Sequence, residues 1–248
     1  MTQPAIKISE TLKPRDRIIV ALDVSTVAEA QAIVDELNGR VGAFKIGLQL
    51  FISAGPEFVR KLAASGVKVF LDLKFHDIPN TVAMAAVEAA KLGVWMLNVH
   101  ASGGNEMMRN TVTEVKLACN EAGIVPPLLI AVTVLTSSDG NALRETGIET
   151  AVADQVVRLA RLAADAGFDG VVASAQEARA IRNAIGADFM IVTPGIRPIG
   201  ATIDDQRRVT TFGKAISAGS DYVVIGRPIT QSPDRSKALG ELIAEIEG

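Results

Sequence analysis

The chain predicts a closed (β/α)₈ barrel built as one domain, and three observations carry that prediction. Eight short, continuous apolar runs alternate with segments of helical periodicity, as expected for parallel strands buried on both faces. The strand–helix unit recurs at roughly 20 to 40 residues, with no linker or shift of composition to divide the chain. Polar, chemistry-bearing residues gather at the C-terminal ends of the runs, where barrel proteins place their sites. An open doubly wound sheet is the alternative, but no G-x-G-x-x-G follows the first strand, where a dinucleotide site would require one.

Taken in order, residues 1–16 form a polar N-terminal arm and 17–248 the barrel. Arg17–Asp23 (R-I-I-V-A-L-D) reads as the first strand. Thr26–Asn38 is its helix, with Ser25 and Thr26 as candidate caps and Gly39 as the stop. Ala43–Gly47 is the second strand and carries Lys45; Pro56–Ala64 is helical. Val67–Asp72 is the third strand, followed by an Ala-rich helix over Pro79–Leu92. Val94–His100 is the fourth, with Trp95 and Met96 as core, and Asn105–Glu121 is the fourth helix. Leu128–Leu135 is the fifth strand; a polar loop, Thr136–Gly147, leads to a helix over Ala151–Ala166. Gly170–Ala173 and Phe189–Thr193 are strands six and seven, separated by the helix Ala175–Ile185. A long irregular stretch, Pro194–Arg208, precedes a short helix over Thr211–Ala218, strand eight at Tyr222–Ile225, and a closing helix from about Lys237 to Glu247.

Composition narrows the function. The 248 residues are 48% hydrophobic and carry a net charge of −3 without a basic run, which argues against nucleic-acid or anionic-membrane partners. The longest apolar run, near Val125–Leu135, contains two prolines and falls short of membrane-spanning length, and Met1–Arg17 has no apolar core. The single cysteine, Cys119, has no metal-ligand spacing and reads as a buried apolar residue in a reducing compartment; a cytoplasmic, soluble protein is expected.

The most informative stretch is Val69–Thr81, V-F-L-D-L-K-F-H-D-I-P-N-T. Strand alternation places Asp72 and Lys74 on one face. Asp77 lies past the strand, where it either caps the next helix or takes part in a site. The other strand ends contribute Asp23, Lys45, His100, Thr136 and Ser137, Pro194 with Arg197 beyond it, and Gly226 with Arg227. Asp23 has helix capping as its structural alternative, Lys45 has snorkelling to the surface, and Arg227 has an ordinary surface turn. His100 reads as a supporting hydrogen-bonding group, and His76 is given no functional role. Gly226-Arg227-Pro228 follows strand eight, where barrels bind phosphate through backbone N–H groups. Arg227 adds charge-assisted contacts there, and Gln206 a neutral donor from the long loop.

The group types limit the chemistry. No H-E-x-x-H, cysteine–histidine cluster or nucleophile elbow is present; a metal is not required, although the carboxylates could hold one. What remains is an alternating array of Lys45, Asp72, Lys74 and Asp77, suited to a reaction that develops negative charge beside an ammonium. Unit charges 4 Å apart interact by about 4 kcal/mol at a protein-like effective dielectric. Neighbouring acids raise lysine pKa values, which disfavours an imine mechanism.

These residues fall in seven blocks: I-V-A-L-D at 19–23, F-K-I-G at 44–47, D-L-K-F-H-D-I-P-N-T at 72–81, V-H-A-S-G-G at 99–104, T-P-G-I-R-P at 193–198, D-Q-R-R-V at 205–209 and D-Y-V-V-I-G-R-P-I-T at 221–230. Together and in this order they resemble the orotidine 5′-phosphate decarboxylase family along nearly the whole chain. D-x-K-x-x-D alone is shared with related barrels, including metal-dependent sugar-phosphate decarboxylases and aldolases. The resemblance implies a homodimer of barrels with shared active sites that converts orotidine 5′-phosphate to UMP and CO₂ without cofactor or metal. It implies Lys74 as proton donor to C6 of the pyrimidine, with Lys45, Asp72 and Asp77 completing the catalytic array. By the same resemblance Asp77, Ile78 and Thr81 cross into the partner's site, Asp23 and Lys45 contact the ribose, and Thr136 contacts the pyrimidine. Pro194, Arg197, Gln206, Gly226 and Arg227 match the substrate-binding and phosphate-holding set, on a loop expected to close over the nucleotide. Phe212 departs from the family pattern, which often has proline there, and a local effect on that helix is expected.

Overall fold

A computed structural model describes residues 12–198 and 210–247. Its eight strands are β1 (Ile18–Ala21), β2 (Ala43–Gly47), β3 (Val69–Phe75), β4 (Met96–His100), β5 (Leu128–Val132), β6 (Gly170–Val172), β7 (Met190–Thr193) and β8 (Tyr222–Ile225). They pair in parallel, each with its sequence neighbours, and β8 closes on β1. The helices are α1 (Val27–Leu37), α2 (Leu48–Ala64), α3 (Pro79–Ala90), α4 (Gly104–Ala122), α5 (Gly140–Glu145), α6 (Val152–Asp165), α7 (Ala175–Ile185), α8 (Phe212–Ala218), α9 (Arg227–Thr230) and α10 (Arg235–Glu247). No helix among the described residues is long and apolar enough to cross a membrane.

Two apolar layers follow from strand alternation. Outward-facing residues such as Ile18, Phe44, Leu71, Leu97 and Val223 pack against the helices. Inward-facing residues, among them Ile19, Phe70, Met96, Ile130, Met190 and Tyr222, fill the barrel interior. Trp95 lies just before β4, is half-buried and packs edge-on against Tyr222 at 5.3 Å, whereas Met96 is fully buried, as expected of core. Cys119 is likewise buried in the outer layer.

Local chemistry explains the element boundaries. Thr26 caps α1 by accepting from the Glu29 N–H at 3.2 Å. Pro79 occupies the first turn of α3, whose preceding residue is Ile78; Asp77 does not cap the helix, and its Oδ1 accepts from the adjacent Ile78 N–H at 2.6 Å. Helix α2 begins at Leu48, eight residues before the expected start at Pro56, and is broken at Gly55 (φ 72°, ψ 175°). The Gly-Pro pair that signals a helix start therefore marks the second half of a kinked one. Helix α5 lies inside the expected polar loop, capped by Asp139, which accepts from the N–H groups of Asn141 and Ala142. Helix α9, a single turn after β8, is a further element that the sequence does not announce. Phe212 opens α8 fully buried, and its N–H donates to the Glu245 carboxylate at 3.1 Å. Residues 1–11 of the expected arm lie outside the described residues, while Pro14–Arg17 form a 3₁₀ turn leading into β1.

The departure that matters for function is in β3. Leu71 pairs with Leu97, but the next pair is Phe75 with Val99, so four residue steps on β3 run beside two on β4. Asp72, Leu73 and Lys74 thus pass a single β4 residue, Asn98. Lys74 adopts φ 53°, the only positive φ at a non-glycine among the described residues. Such a conformation in a long side chain is uncommon and points to a local constraint.

Candidate active site

The C-terminal ends of β1, β2, β3, β5, β6, β7 and β8 surround a cavity of about 280 Å³. Its lining includes Asp23, Lys45, Asp72, Lys74, Thr136, Ser137, Pro194, Arg197, Gly226 and Arg227, so ten residues expected at strand ends meet in one place. Val132, Val134, Leu135 and Val172 add an apolar wall that the sequence reading did not assign to the site. Gln206 lies outside the described residues. Asp77, Ile78 and Thr81 are exposed and do not line the cavity of their own chain.

The charges form a continuous chain. Asp23 Oδ1 lies 3.0 Å from Lys45 Nζ, which lies 3.3 Å from Asp72 Oδ2; Asp72 Oδ1 in turn accepts from Lys74 Nζ at 2.6 Å. Within one chain the array is therefore Asp23–Lys45–Asp72–Lys74, and Asp77 stands apart from it. Alternation brings Asp72 and Lys74 to the same side, as expected, although the bulge in β3 sets their geometry. Both Lys45 and Asp72 are buried. Burial pulls the Lys45 ammonium toward neutrality, but the charges of Asp72 and Asp23 outweigh it and hold its pKa above the ordinary value. Burial likewise pushes the Asp72 carboxyl up, and the charges of Lys45 and Lys74 overcome it, holding its pKa below the usual carboxylate range.

Backbone features shape the same rim. A Cβ at Gly47, at the end of β2, would stand 3.0 Å from Lys45 Nζ and 3.5 Å from Asp23 Oδ1, so this glycine leaves room for the array. The Gly226 carbonyl accepts from the N–H groups of Ile229 and Thr230 at 2.9 and 3.0 Å, closing the turn of α9 and setting Arg227 at the cavity. His100 is half-buried, its ring 5.5 Å from that of exposed His76. Burial, helped by the charges of His76 and Lys74, lowers the His100 pKa.

A parallel barrel with paired ammonium and carboxylate groups beside two arginines at its strand ends is the architecture of a barrel enzyme acting on a small anionic substrate. Comparison with known proteins makes this specific. The model of the orotidine 5′-phosphate decarboxylase / HUMPS family matches residues 16–242, and the chain belongs to that family. It is 52% identical over 235 residues to an orotidine 5′-phosphate decarboxylase of Syntrophotalea carbinolica, covering 95% of this chain and 96% of that one. It is 53% identical over 234 residues to the enzyme of the same name from Moorella thermoacetica, covering 94% and 93% of the two chains. A crystal structure of orotidine 5′-phosphate decarboxylase from Lactobacillus acidophilus superposes with a TM-score of 0.81 at 39% identity, covering 93% of this chain and 99% of that one.

Proposed function

We propose that this protein decarboxylates orotidine 5′-phosphate to UMP and CO₂, with Lys74 delivering the proton to C6. One observation carries the reading: the Asp23–Lys45–Asp72–Lys74 chain opens onto the same cavity as Arg197 and Arg227, in a member of the family named for that reaction. The arginines and Gly226 hold the phosphate end of the nucleotide, with Gln206 assigned to the same role, and Pro194 contacts the substrate. Asp23 and Lys45 take the ribose, and Thr136 the pyrimidine. Binding energy from the phosphate, remote from the reacting carbon, is then available to the transition state. Loss of CO₂ leaves an electron pair on C6. The Lys74 ammonium, held beside that position by Asp72, stabilises the carbanion and gives it a proton. Departure of CO₂ and arrival of one proton balance the step, and no redox partner enters.

The proposal includes a homodimer in which Asp77, Ile78 and Thr81 complete the partner's site. Its support is exposure: Ile78 is 66% exposed, and Leu48 and Ile52, at the start of α2 after neighbouring β2, are 53% and 79% exposed. A cytoplasmic location belongs to the same proposal and rests on cysteine usage alone.

The test is release of CO₂ from orotidine 5′-phosphate in excess chelator, for the native chain and for Lys74→Ala. Full activity with chelator and a loss of about 10³-fold or more in the variant are expected. UMP formation by Lys74→Ala at a near-native rate would refute the assignment. Loss of native activity to the chelator would favour a metal-dependent reaction.

A further inference from the structure

We infer that Asn98 is a positioning residue that builds the Asp72–Lys74 geometry. The inference rests on the decarboxylase reading for its functional consequence, but the geometry stands without it. Asn98 is fully buried in β4, faces the barrel interior and does not line the cavity. Its Nδ2 donates to Asp72 Oδ1 at 2.7 Å, and its Oδ1 accepts from the Lys74 backbone N–H at 2.8 Å. These two bonds span the place where β3 and β4 lose register, so one side chain occupies the gap that the ladder leaves. The orientation of the amide is fixed by its neighbours. The reverse rotamer would set an NH₂ group against the Lys74 N–H and a carbonyl against the Asp72 carboxylate.

Two consequences follow for the charged array. Asp72 Oδ1 receives both Asn98 and Lys74 Nζ, while Oδ2 faces Lys45, so the amide decides how the carboxylate divides its oxygens between the lysines. The bond to the Lys74 N–H holds the backbone at φ 53°, from which the side chain reaches Asp72 and the cavity. A polar group buried this deeply demands both partners, which gives the contact its rigidity. Besides Asn98, the groups that face Asp72 are Lys45 from β2, Lys74 from β3 and His100 from β4.

The experiment compares the native chain with Asn98→Ala and with Asn98→Leu, which keeps roughly the size but loses both donor and acceptor. In folded variants kcat should fall on the order of 10²-fold, the cost of small misplacements of reacting groups. KM should stay within about threefold, because the phosphate-side residues are untouched. Unchanged kcat in either folded variant, or a loss confined to KM, would overturn the inference. Amide hydrogen exchange in the native chain gives a test independent of variant folding: the Lys74 N–H should exchange as slowly as the β3 ladder amides. Exchange at the rate of an open loop would overturn it. Absence of CO₂ release by the native chain would count against the decarboxylase reading, with the exchange measurement still deciding the contact.

Discussion

Asp72 is held by three donors at two oxygens, and its environment makes stability depend on pH. Because its folded pKa lies below the ordinary value of 3.8, its ionised form contributes stability that is fully present above that value. The contribution is lost as pH falls through the folded pKa. Lys45 works in the other direction: with its pKa held above 10.5, its contribution is present below that value and fades as pH rises through the folded one. Replacing Asp72 with Asn leaves Lys74 without its carboxylate and Lys45 with only Asp23, a loss of about 3 kcal/mol at neutral pH. Thermal unfolding should show a large native-to-variant gap at pH 7 that narrows steadily below pH 4. A gap independent of pH would mean that Asp72 is not ionised in the fold.

At the scale of the element, β1, β2 and β3 do two jobs: their apolar residues pack and their C-terminal ends present chemistry. Gly47 shows how tightly these are joined. Its backbone, φ −94° and ψ −178°, is open to any residue, so Gly47→Ala meets no conformational penalty. The added Cβ would instead press on the Lys45 ammonium at 3.0 Å. Activity should fall about tenfold while the melting temperature stays close to native; a fully active variant would show that the ammonium has room to move. Strands were the legible part of this fold, because runs buried on both faces stand out against the helical pattern. Less legible were α5, hidden in a polar loop, and the first half of α2, concealed by Gly55 and Pro56. The charged site residues were legible because lysine and aspartate at strand ends are poorly explained by packing. Asn98 was not, although a lone amide at an inward position of W-M-L-N-V-H was a signal available to be read. The slip between β3 and β4 has no signature in periodicity, since it is a relation between two strands.

For the whole molecule, the exposed Asp77, Ile78 and Thr81 lead to a test of shared sites. Lys74→Ala and Asp77→Ala chains, each inactive alone, should regain activity when unfolded and refolded together. Random pairing makes half the dimers mixed, each with one intact site, so about a quarter of native activity should return. No recovery would mean that each barrel works alone. The bulge in β3 carries its own lesson for the closed barrel. Its surplus is two residues, an even number, so Leu71 before it and Phe75 after it both face the helices, as do Leu97 and Val99 beside them. A surplus of one would have turned every later side chain of the strand inside out. The lysine proposed to do the chemistry therefore sits in an insertion that the barrel tolerates by parity. A strand of this kind can gain or shed such a pair while the ring of eight stays in step, which makes the reactive feature separable from the scaffold that carries it.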